Sequence, residues 1–363
     1  MTDTSTTAES EQPHASEARL PFEFHGKAGE YFGIWIVNLL LTIATLGVYS
    51  AWAKVRTNRY FYGSTRLDGD AFHYAAKPMQ ILIARLIVFA VLVAFNVLAQ
   101  YVPEAGVALL IVFFFLFPWL ISRALRFQSR VTRWRNVGFD FRTDYWPTFV
   151  IMYLAPILSV VTLGLGIPVV TKWTQEWAYK RFSFGDRGFD VQVPLGKLYG
   201  LFGGVFVVGV LLYVGALALI VGPIIASSQA GLEGDTLPAS VIAAIIPAYF
   251  MMLAAALLIY VYRAGVRNIV FRELVLDGNH RFDSTVSKRK YAWIIFSNLI
   301  AVAVSLGFLI PWARIRLSRF LAENTFVIPG GPLDQFVESV KETQGVIGEE
   351  YVDMEGIDIG IGL

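Results

Sequence analysis

The chain has 363 residues, of which 56% are hydrophobic and only 16% are charged, and its mean hydropathy is +0.56. Soluble domains average about 45–50% apolar and about 25% charged residues, so this composition excludes a soluble globular protein and indicates an integral membrane protein. The formal net charge of +2 argues against nucleic acid as a partner. The absence of cysteine excludes disulfides, thiolate metal sites and a cysteine nucleophile.

Apolar segments of about the length of a membrane-spanning helix follow a polar amino-terminal stretch, residues 1–21, which we expect to be disordered. They predict an all-α multipass membrane protein with small cytoplasmic β-hairpins, because Asp-Gly turns separate alternating apolar residues in the loops. The seven segments are Tyr31–Trp52, Ile81–Tyr101, Ala105–Ser122, Thr148–Val170, Leu198–Ile225, Leu237–Tyr262 and Tyr291–Trp312.

Lys and Arg are unevenly distributed among the loops. Residues 102–104 and 226–236 contain neither, whereas the basic residues concentrate in residues 53–80, 123–147, 172–197 and 263–290. Basic loops remain in the cytoplasm, so we expect both termini to be cytoplasmic as well. Because the fourth and seventh segments have basic residues on both sides, two alternatives stay open. Either the first, fourth and seventh segments re-enter from the cytoplasmic side, or they span and one basic loop breaks the rule.

These three segments share a possible helix break and indicate an internal repeat. The break is Thr45-Leu46-Gly47 in the first, Thr162-Leu163-Gly164 in the fourth and Ser305-Leu306-Gly307 in the seventh. Residues 31–60 also align with residues 291–320 without gaps. We therefore interpret residues 22–147 and 148–290 as two repeat units, residues 291–330 as a third copy of the broken segment and residues 331–363 as an acidic tail.

The stretch FHGKAGEYFGIWIVNLLLTIATLGVYSAWAKVRTNRYFYGSTRLDG and the later stretch SLGFLIPWARIRLSRFLAENTFVI contain the same block of Leu-Gly, Trp-Ala and spaced arginines. Over about residues 22–330 the sequence resembles the YjgN-like family of bacterial inner-membrane proteins. This family is described as a domain of unknown function. The resemblance therefore implies a multipass protein of the inner membrane, and it implies no activity.

Two groups of residues are candidate sites. Repeated polar residues inside the apolar segments predict a polar site near the membrane midplane, as transporter repeats often build, although hydrogen bonds between helices explain them equally well. The basic ends of the first and last segments predict a site for anionic lipid headgroups, or else a topology signal alone. The polar group is Asn38, Thr42, Thr45, Asn298 and Ser305, and the basic group is Trp52, Arg56, Arg59, Trp312, Arg316 and Arg319.

No phosphate-binding loop, nucleophile–base pair or metal-binding pattern occurs, so we expect neither an enzyme nor a bound cofactor or metal. The repeats and broken helices favour a conduit or transporter for a small or amphiphilic molecule. The alternative is a membrane scaffold that binds anionic lipid or a protein partner through its basic loops. The acidic tail is either disordered or a further candidate site for a protein partner or for docking on those loops.

Overall fold

The structure, a computed structural model, describes residues 19–229 and 239–352. Within them, ten short strands form a closed antiparallel barrel in which each strand pairs with its neighbours in sequence. The strands are β1 (Leu20–Phe24), β2 (Thr65–Leu67), β3 (Asp70–Tyr74), β4 (Thr132–Trp134), β5 (Val137–Phe141), β6 (Phe182–Phe184), β7 (Arg187–Val191), β8 (Leu274–Leu276), β9 (His280–Ser284) and β10 (Thr325–Ile328). β1 closes the ring between β2 and β10.

Pairs of helices are inserted between the strands at one end of the barrel. Every connection from an odd-numbered strand to the next even-numbered strand is helical. The connections β2–β3, β4–β5, β6–β7 and β8–β9 are tight turns at the opposite end. The helices are α1 (Ala28–Ala44), α2 (Ser50–Ser64), α3 (Pro78–Tyr101), α4 (Pro103–Arg130), α5 (Tyr145–Phe149), α6 (Ala155–Val161), α7 (Ile167–Tyr179), α8 (Leu195–Gln229), α9 (Ala239–Glu273), α10 (Lys288–Val304), α11 (Ile310–Glu323) and α12 (Leu333–Val352). A π-helical turn, Val150–Leu154, joins α5 to α6.

The barrel corrects the expectation of an all-α protein. The hairpins at Asp68-Gly69 and Asp277-Gly278 are present, with positive φ at both turn residues, but they are not separate appendages. Each hairpin pairs with the next, and β1 pairs with β10 across more than three hundred residues of chain. Local alternation predicts a hairpin but carries no information about pairing between hairpins, and pairing removes the exposed edges that isolated hairpins would leave.

The alternative in which all seven apolar segments span the membrane is also wrong. Among the described residues, four helices are long and apolar enough to cross a membrane, namely α3, α4, α8 and α9. The first, fourth and seventh apolar segments instead turn back on themselves. In the first, Leu46 and Gly47 have φ values of 48° and 93°, and the Gly47 N–H donates to the Thr42 carbonyl over 2.7 Å. Such a left-handed pair ends an α-helix.

The Thr or Ser of each break ties the two helices of its hairpin together. The Thr45 hydroxyl donates to the Leu41 carbonyl over 2.7 Å and accepts the Tyr49 N–H over 2.9 Å. Thr162 and Ser305 do the same in the other two hairpins. A side-chain oxygen that accepts an otherwise free N–H at a helix start stabilises that helix. The repeated break is therefore a helix-capping turn.

Apolar side chains fill the barrel interior. Five cross-strand pairs repeat around the ring, each joining a phenylalanine to an apolar partner, and their side chains belong to one cluster. Three residues of α12, Leu333, Val337 and Val340, pack into the same cluster at the turn end. The five pairs are Phe22 with Leu67, Phe72 with Trp134, Phe139 with Phe184, Phe189 with Leu276 and Phe282 with Val327.

Candidate functional site

A cavity of about 930 Å³ lies where the helices meet the barrel, and we call it the chamber. Four of the five ring phenylalanines, Phe22, Phe72, Phe139 and Phe189, line it on the barrel side. Side chains from α2, α4, α7, α9 and α11 line it on the other side. Because each of these helices runs directly into a strand of the barrel, closing the barrel gathers their ends around one space.

Equivalent positions on four of the five helices face this space. Counting back seven residues from the first residue of β2, β4, β6, β8 and β10 gives Asn58, Leu125, Gln175, Arg267 and Ser318. The last four of these line the chamber. Three of the strand starts are threonines whose hydroxyls donate to the carbonyl four residues earlier, which satisfies the helix end locally. These are Thr65, Thr132 and Thr325, with distances of 2.9, 3.0 and 2.6 Å.

Arg267 is the only charged side chain among the described residues that line the chamber. Its Nη2 donates to the Thr325 hydroxyl over 2.7 Å, and its guanidinium lies 4.2 Å from the centroid of the Phe271 ring. Its Nε is buried and has no hydrogen-bond partner. No carboxylate in the described part of the chain pairs with it. Buried arginines are normally paired with an anion, so this one is an exception.

A second cavity, of about 480 Å³, lies between α7 and α9, and we call it the groove. It shares four lining residues with the chamber, so the two spaces meet at Arg267. Away from that point its walls include Ile167, Val170 and Ile259, and the exposed Arg263 also lines it. The shared residues are Gln175, Tyr179, Arg267 and Phe271.

The opposite end of the barrel is closed by α12, which ties to the rim at two places. Arg135 binds Asp334 at its Nη1 over 2.8 Å and also binds Asp68 and Asp70 on the β2–β3 hairpin. His280 lies 5% exposed beneath α12, with its ring centroid 4.2 Å from that of Phe336. The start of the acidic tail therefore docks on the chain's own barrel.

Burial lowers the pKa of His280, and the nearby Asp277 carboxylate opposes this effect. The Gly330 N–H points at its Nδ1 over 3.4 Å, a contact that needs an unprotonated acceptor nitrogen. The neutral ring therefore fits the observed arrangement, and a protonated ring would lose this contact.

The predicted polar membrane site divides into local contacts. The Asn38 amide donates weakly to the Ala53 carbonyl, 3.4 Å away, and the Asn298 amide donates to the Ala313 carbonyl over 3.1 Å. Each asparagine thus bridges the two helices of its own hairpin. Thr42, like Thr45 and Ser305, bonds within its own hairpin, donating to the Asn38 carbonyl. Among the described residues no hydrogen bond joins the two asparagines.

Three of the four arginines of the predicted lipid-headgroup site donate hydrogen bonds within the protein. Arg59 donates to the Ala76 carbonyl, Arg319 donates to the Gly26 carbonyl, and Arg316 donates to the Asn298 and Ser297 side chains. Arg316 also lies 5.1 Å from the Trp312 ring centroid. Arg56 is exposed, and Trp52 is partly buried against the core formed by α2 and α3.

Sequence reasoning missed Arg267 and the chamber. Arg267 lies close to the barrel end of a long apolar helix, where an arginine ordinarily reaches toward lipid headgroups or water. The one sequence pattern that marks it is its position seven residues before the start of β8. Residues at the equivalent position before β4, β6 and β10 also line the chamber. That pattern becomes visible only when the strands are known.

Comparison with known proteins identifies the family. A family model described as "Bacterial protein of unknown function (DUF898)" matches residues 19–354. The inner membrane protein YjgN of Salmonella typhimurium (strain LT2) is 28% identical over 349 residues, which covers 84% of this chain and 87% of that protein. YjgN of Escherichia coli O157:H7 and YjgN of strain K12 are each 30% identical over 152 residues, covering 42% of this chain and 38% of the relative. No solved structure matches the chain.

The family match spans all of the described residues, and it confirms the resemblance to the YjgN-like proteins. The four apolar helices and the names of the relatives together support a location in the bacterial inner membrane. The protein is thus an integral membrane protein that belongs to the DUF898 family of bacterial proteins of unknown function.

Proposed function

We propose that this protein is a conduit for a small amphiphilic molecule, which it takes from the bilayer into the chamber. The observation that carries the proposal is the chamber itself, a space of about 930 Å³ with aromatic walls and a few polar groups. Ligand sites are typically cavities of this size, apolar overall with a small number of polar groups that fix orientation. The groove between α7 and α9 supplies a lateral path from the apolar helices to the chamber.

The orientation of the protein follows from its charge. Each of the four basic stretches contains one hairpin of the barrel, whereas residues 102–104 lie at the far tip of the α3–α4 pair. By the positive-inside rule we assign the barrel and α12 to the cytoplasm. In this orientation the chamber lies at the cytoplasmic ends of the spans, and α12 closes the way from the barrel to the cytoplasm.

The scaffold alternative has weaker support. Arg59, Arg316 and Arg319 are engaged by carbonyls or side chains of this chain, which leaves Arg56 as the freest member of the basic group. The apolar face at the start of α12 is likewise covered by the barrel. A scaffold function predicts that lipid retention depends on these arginines and is indifferent to the volume of the chamber.

The test is transport by the full-length protein in liposomes loaded with a fluorescent single-chain amphiphile, with external albumin as the acceptor. We expect the protein to increase the rate of release several-fold over protein-free vesicles. Ser318→Trp and Ala178→Trp place a large ring in the chamber and should each return release to the protein-free rate. The matched control is Leu211→Trp on the outer face of α8, where the native side chain is 66% exposed.

All variants must share the melting temperature and elution profile of the wild type before their rates are compared. Two independent chamber substitutions are used so that misfolding of one leaves the comparison intact. Wild-type release at the protein-free rate, or undiminished release in both chamber variants, would overturn the proposal.

A further inference from the structure

We propose that the occupant of the chamber carries an anionic head, a carboxylate or phosphate, and that Arg267 is its counter-ion. This inference rests on the proposed function and names the chemical class of the molecule. Its starting point is that Arg267 supplies the only charge among the described residues around the chamber. The other polar groups there, including Gln128, Gln175 and Ser318, are neutral.

Two other partly buried arginines of this chain bind carboxylates, which Arg267, like Arg316, does not. Arg135 has a side chain 14% exposed and binds three aspartates, and Arg181 has one 15% exposed and binds Asp144 over 3.2 Å. Arg267 has one neutral partner, the Thr325 hydroxyl, and one aromatic ring. A buried cation without an anion is costly, so a site that keeps one is suited to an anion from outside.

Thr325 fixes the orientation of the Arg267 guanidinium at the wall of the chamber. A guanidinium presents several N–H groups in a planar fork that matches a carboxylate or phosphate. Thr325 holds Nη2, and Phe271 lies 4.2 Å away from the guanidinium. The Nε of Arg267 is covered by protein atoms and has no hydrogen-bond partner, as is also true of Arg181 and Arg187. The Thr325 hydroxyl itself donates to the Leu321 carbonyl, so it holds the guanidinium from a fixed position.

The groove supplies the place for an apolar chain. It reaches Arg267 from between α7 and α9, and Ile167, Val170, Ile259 and Val266 are among its walls. A head bound at Arg267 would leave a single chain lying along these residues toward the bilayer. The geometry therefore fits a single-chain anionic amphiphile from the membrane better than a free anion, which would leave the apolar groove unfilled.

The experiment measures binding to the delipidated full-length protein by displacement of a fluorescent single-chain carboxylate. The competitors are hexadecanoate, hexadecyl phosphate, the neutral hexadecanol and inorganic phosphate alone. We expect both anionic amphiphiles to bind at least about ten-fold more tightly than hexadecanol, and inorganic phosphate to bind weakest. The ten-fold margin is the usual size of one charge-assisted contact.

The variant Arg267→Met should lose the preference for anionic over neutral amphiphiles while still binding hexadecanol. It should also raise the melting temperature of the ligand-free protein. Methionine has a side chain of similar length to that of arginine but no charge, so the substitution removes a buried charge that has no ionic partner. Arg267→Lys keeps the charge but not the fork and should retain part of the preference. The matched control Arg56→Gln removes an exposed arginine outside the cavities and should bind like the wild type.

Each outcome has a distinct meaning. Failure of every amphiphile to bind the wild type would overturn the proposed function together with this inference. Equal affinity for hexadecanoate and hexadecanol, or an unchanged preference in Arg267→Met, would overturn the anionic inference and leave the conduit standing. Inorganic phosphate binding as tightly as hexadecyl phosphate would show a free-anion site and overturn the assignment to an amphiphile. A lower melting temperature in Arg267→Met would show that Arg267 stabilises the fold and is not a charge kept for a ligand.

Discussion

Arg135 and Asp334 join the barrel rim to the carboxyl-terminal helix, with Nη1 and Oδ1 2.8 Å apart. The same guanidinium binds Asp68 and Asp70 on the neighbouring hairpin, so one side chain holds two strands and α12 together. The position of Arg135 at a turn with a φ of 49° places it at the rim. This contact helps to hold α12 over the turn end of the barrel.

Weakening this contact should loosen α12 without unfolding the barrel. The Asp334 side chain is 83% exposed, so Asp334→Asn should cost only about 0.5 kcal/mol, the usual size of an exposed ion pair. Hydrogen exchange of the amides of residues 333–340 should become faster by roughly two-fold, since about 0.5 kcal/mol is a little over a factor of two in an equilibrium. Glu338→Gln on the same helix is the control and should leave exchange unchanged. Equal exchange in both variants would mean that the ion pair does not hold α12.

Acid should destabilise the same docking site through His280. Burial lowers its pKa below the usual value of about 6.5, so the folded protein favours the neutral ring. The stability that this provides is present above about pH 6.5 and is lost as the pH falls through the lowered pKa. We expect the melting temperature to fall between pH 7.5 and pH 5 more steeply in the wild type than in His280→Gln. The exposed His73→Gln is the control, and a slope unchanged in His280→Gln would contradict the role of this ring.

The left-handed glycine of the helix break should not tolerate a side chain. Gly307 has a φ of 93°, and a Cβ there would meet only the end of the Ile310 side chain at 3.5 Å. The cost of Gly307→Ala is therefore conformational, about 1–2 kcal/mol. Gly203→Ala in α8, where a Cβ meets open space, should be neutral or stabilising by about 0.4–1 kcal/mol. The two melting temperatures decide this, and a cost at Gly307 no larger than that at Gly203 would argue against a capping turn.

The two asparagines should differ in their contribution to stability. Asn298 donates to Ala313 and accepts from Arg316 over 3.0 Å, whereas Oδ1 of Asn38 is buried without a partner. Asn298→Leu should therefore cost about 1–3 kcal/mol, because it leaves a buried carbonyl and a donor unsatisfied. Asn38→Leu should cost less. Thermal unfolding of each single variant and of the double variant should also show additive effects, since each asparagine bonds within its own hairpin.

The parts of this fold that depend on local chemistry are predictable from the sequence. The Thr/Ser-Leu-Gly breaks and the Asp-Gly turns rest on glycine conformation and capping, and both occur where the sequence places them. The closed barrel does not depend on local chemistry, because strands of three to five residues acquire their partners only through the arrangement of helices between them. The pairing of Leu20 with Val327 is the extreme case.

The candidate site could not be predicted from the sequence for the same reason. The polar residues that the sequence marks, such as Thr45 and Ser305, bond within their own hairpins. Arg267, the charged residue that lines the chamber, has no unusual neighbour in the sequence, and its separation from carboxylates exists only in three dimensions. A sequence shows which polar groups are present, whereas burial and pairing decide which of them remain available to a ligand.

The most direct test of the conduit is to map where an amphiphile sits in the wild-type protein in liposomes. A single-chain carboxylate with a photoreactive group midway along its chain is irradiated in place, and the labelled peptides are identified by mass spectrometry. We expect labelling of α7 and α9 on the sides that form the groove, around Val170 and Ile259, and its loss in Ser318→Trp. Labelling confined to the outer faces of α3 and α8, and unaffected by Ser318→Trp, would contradict this expectation.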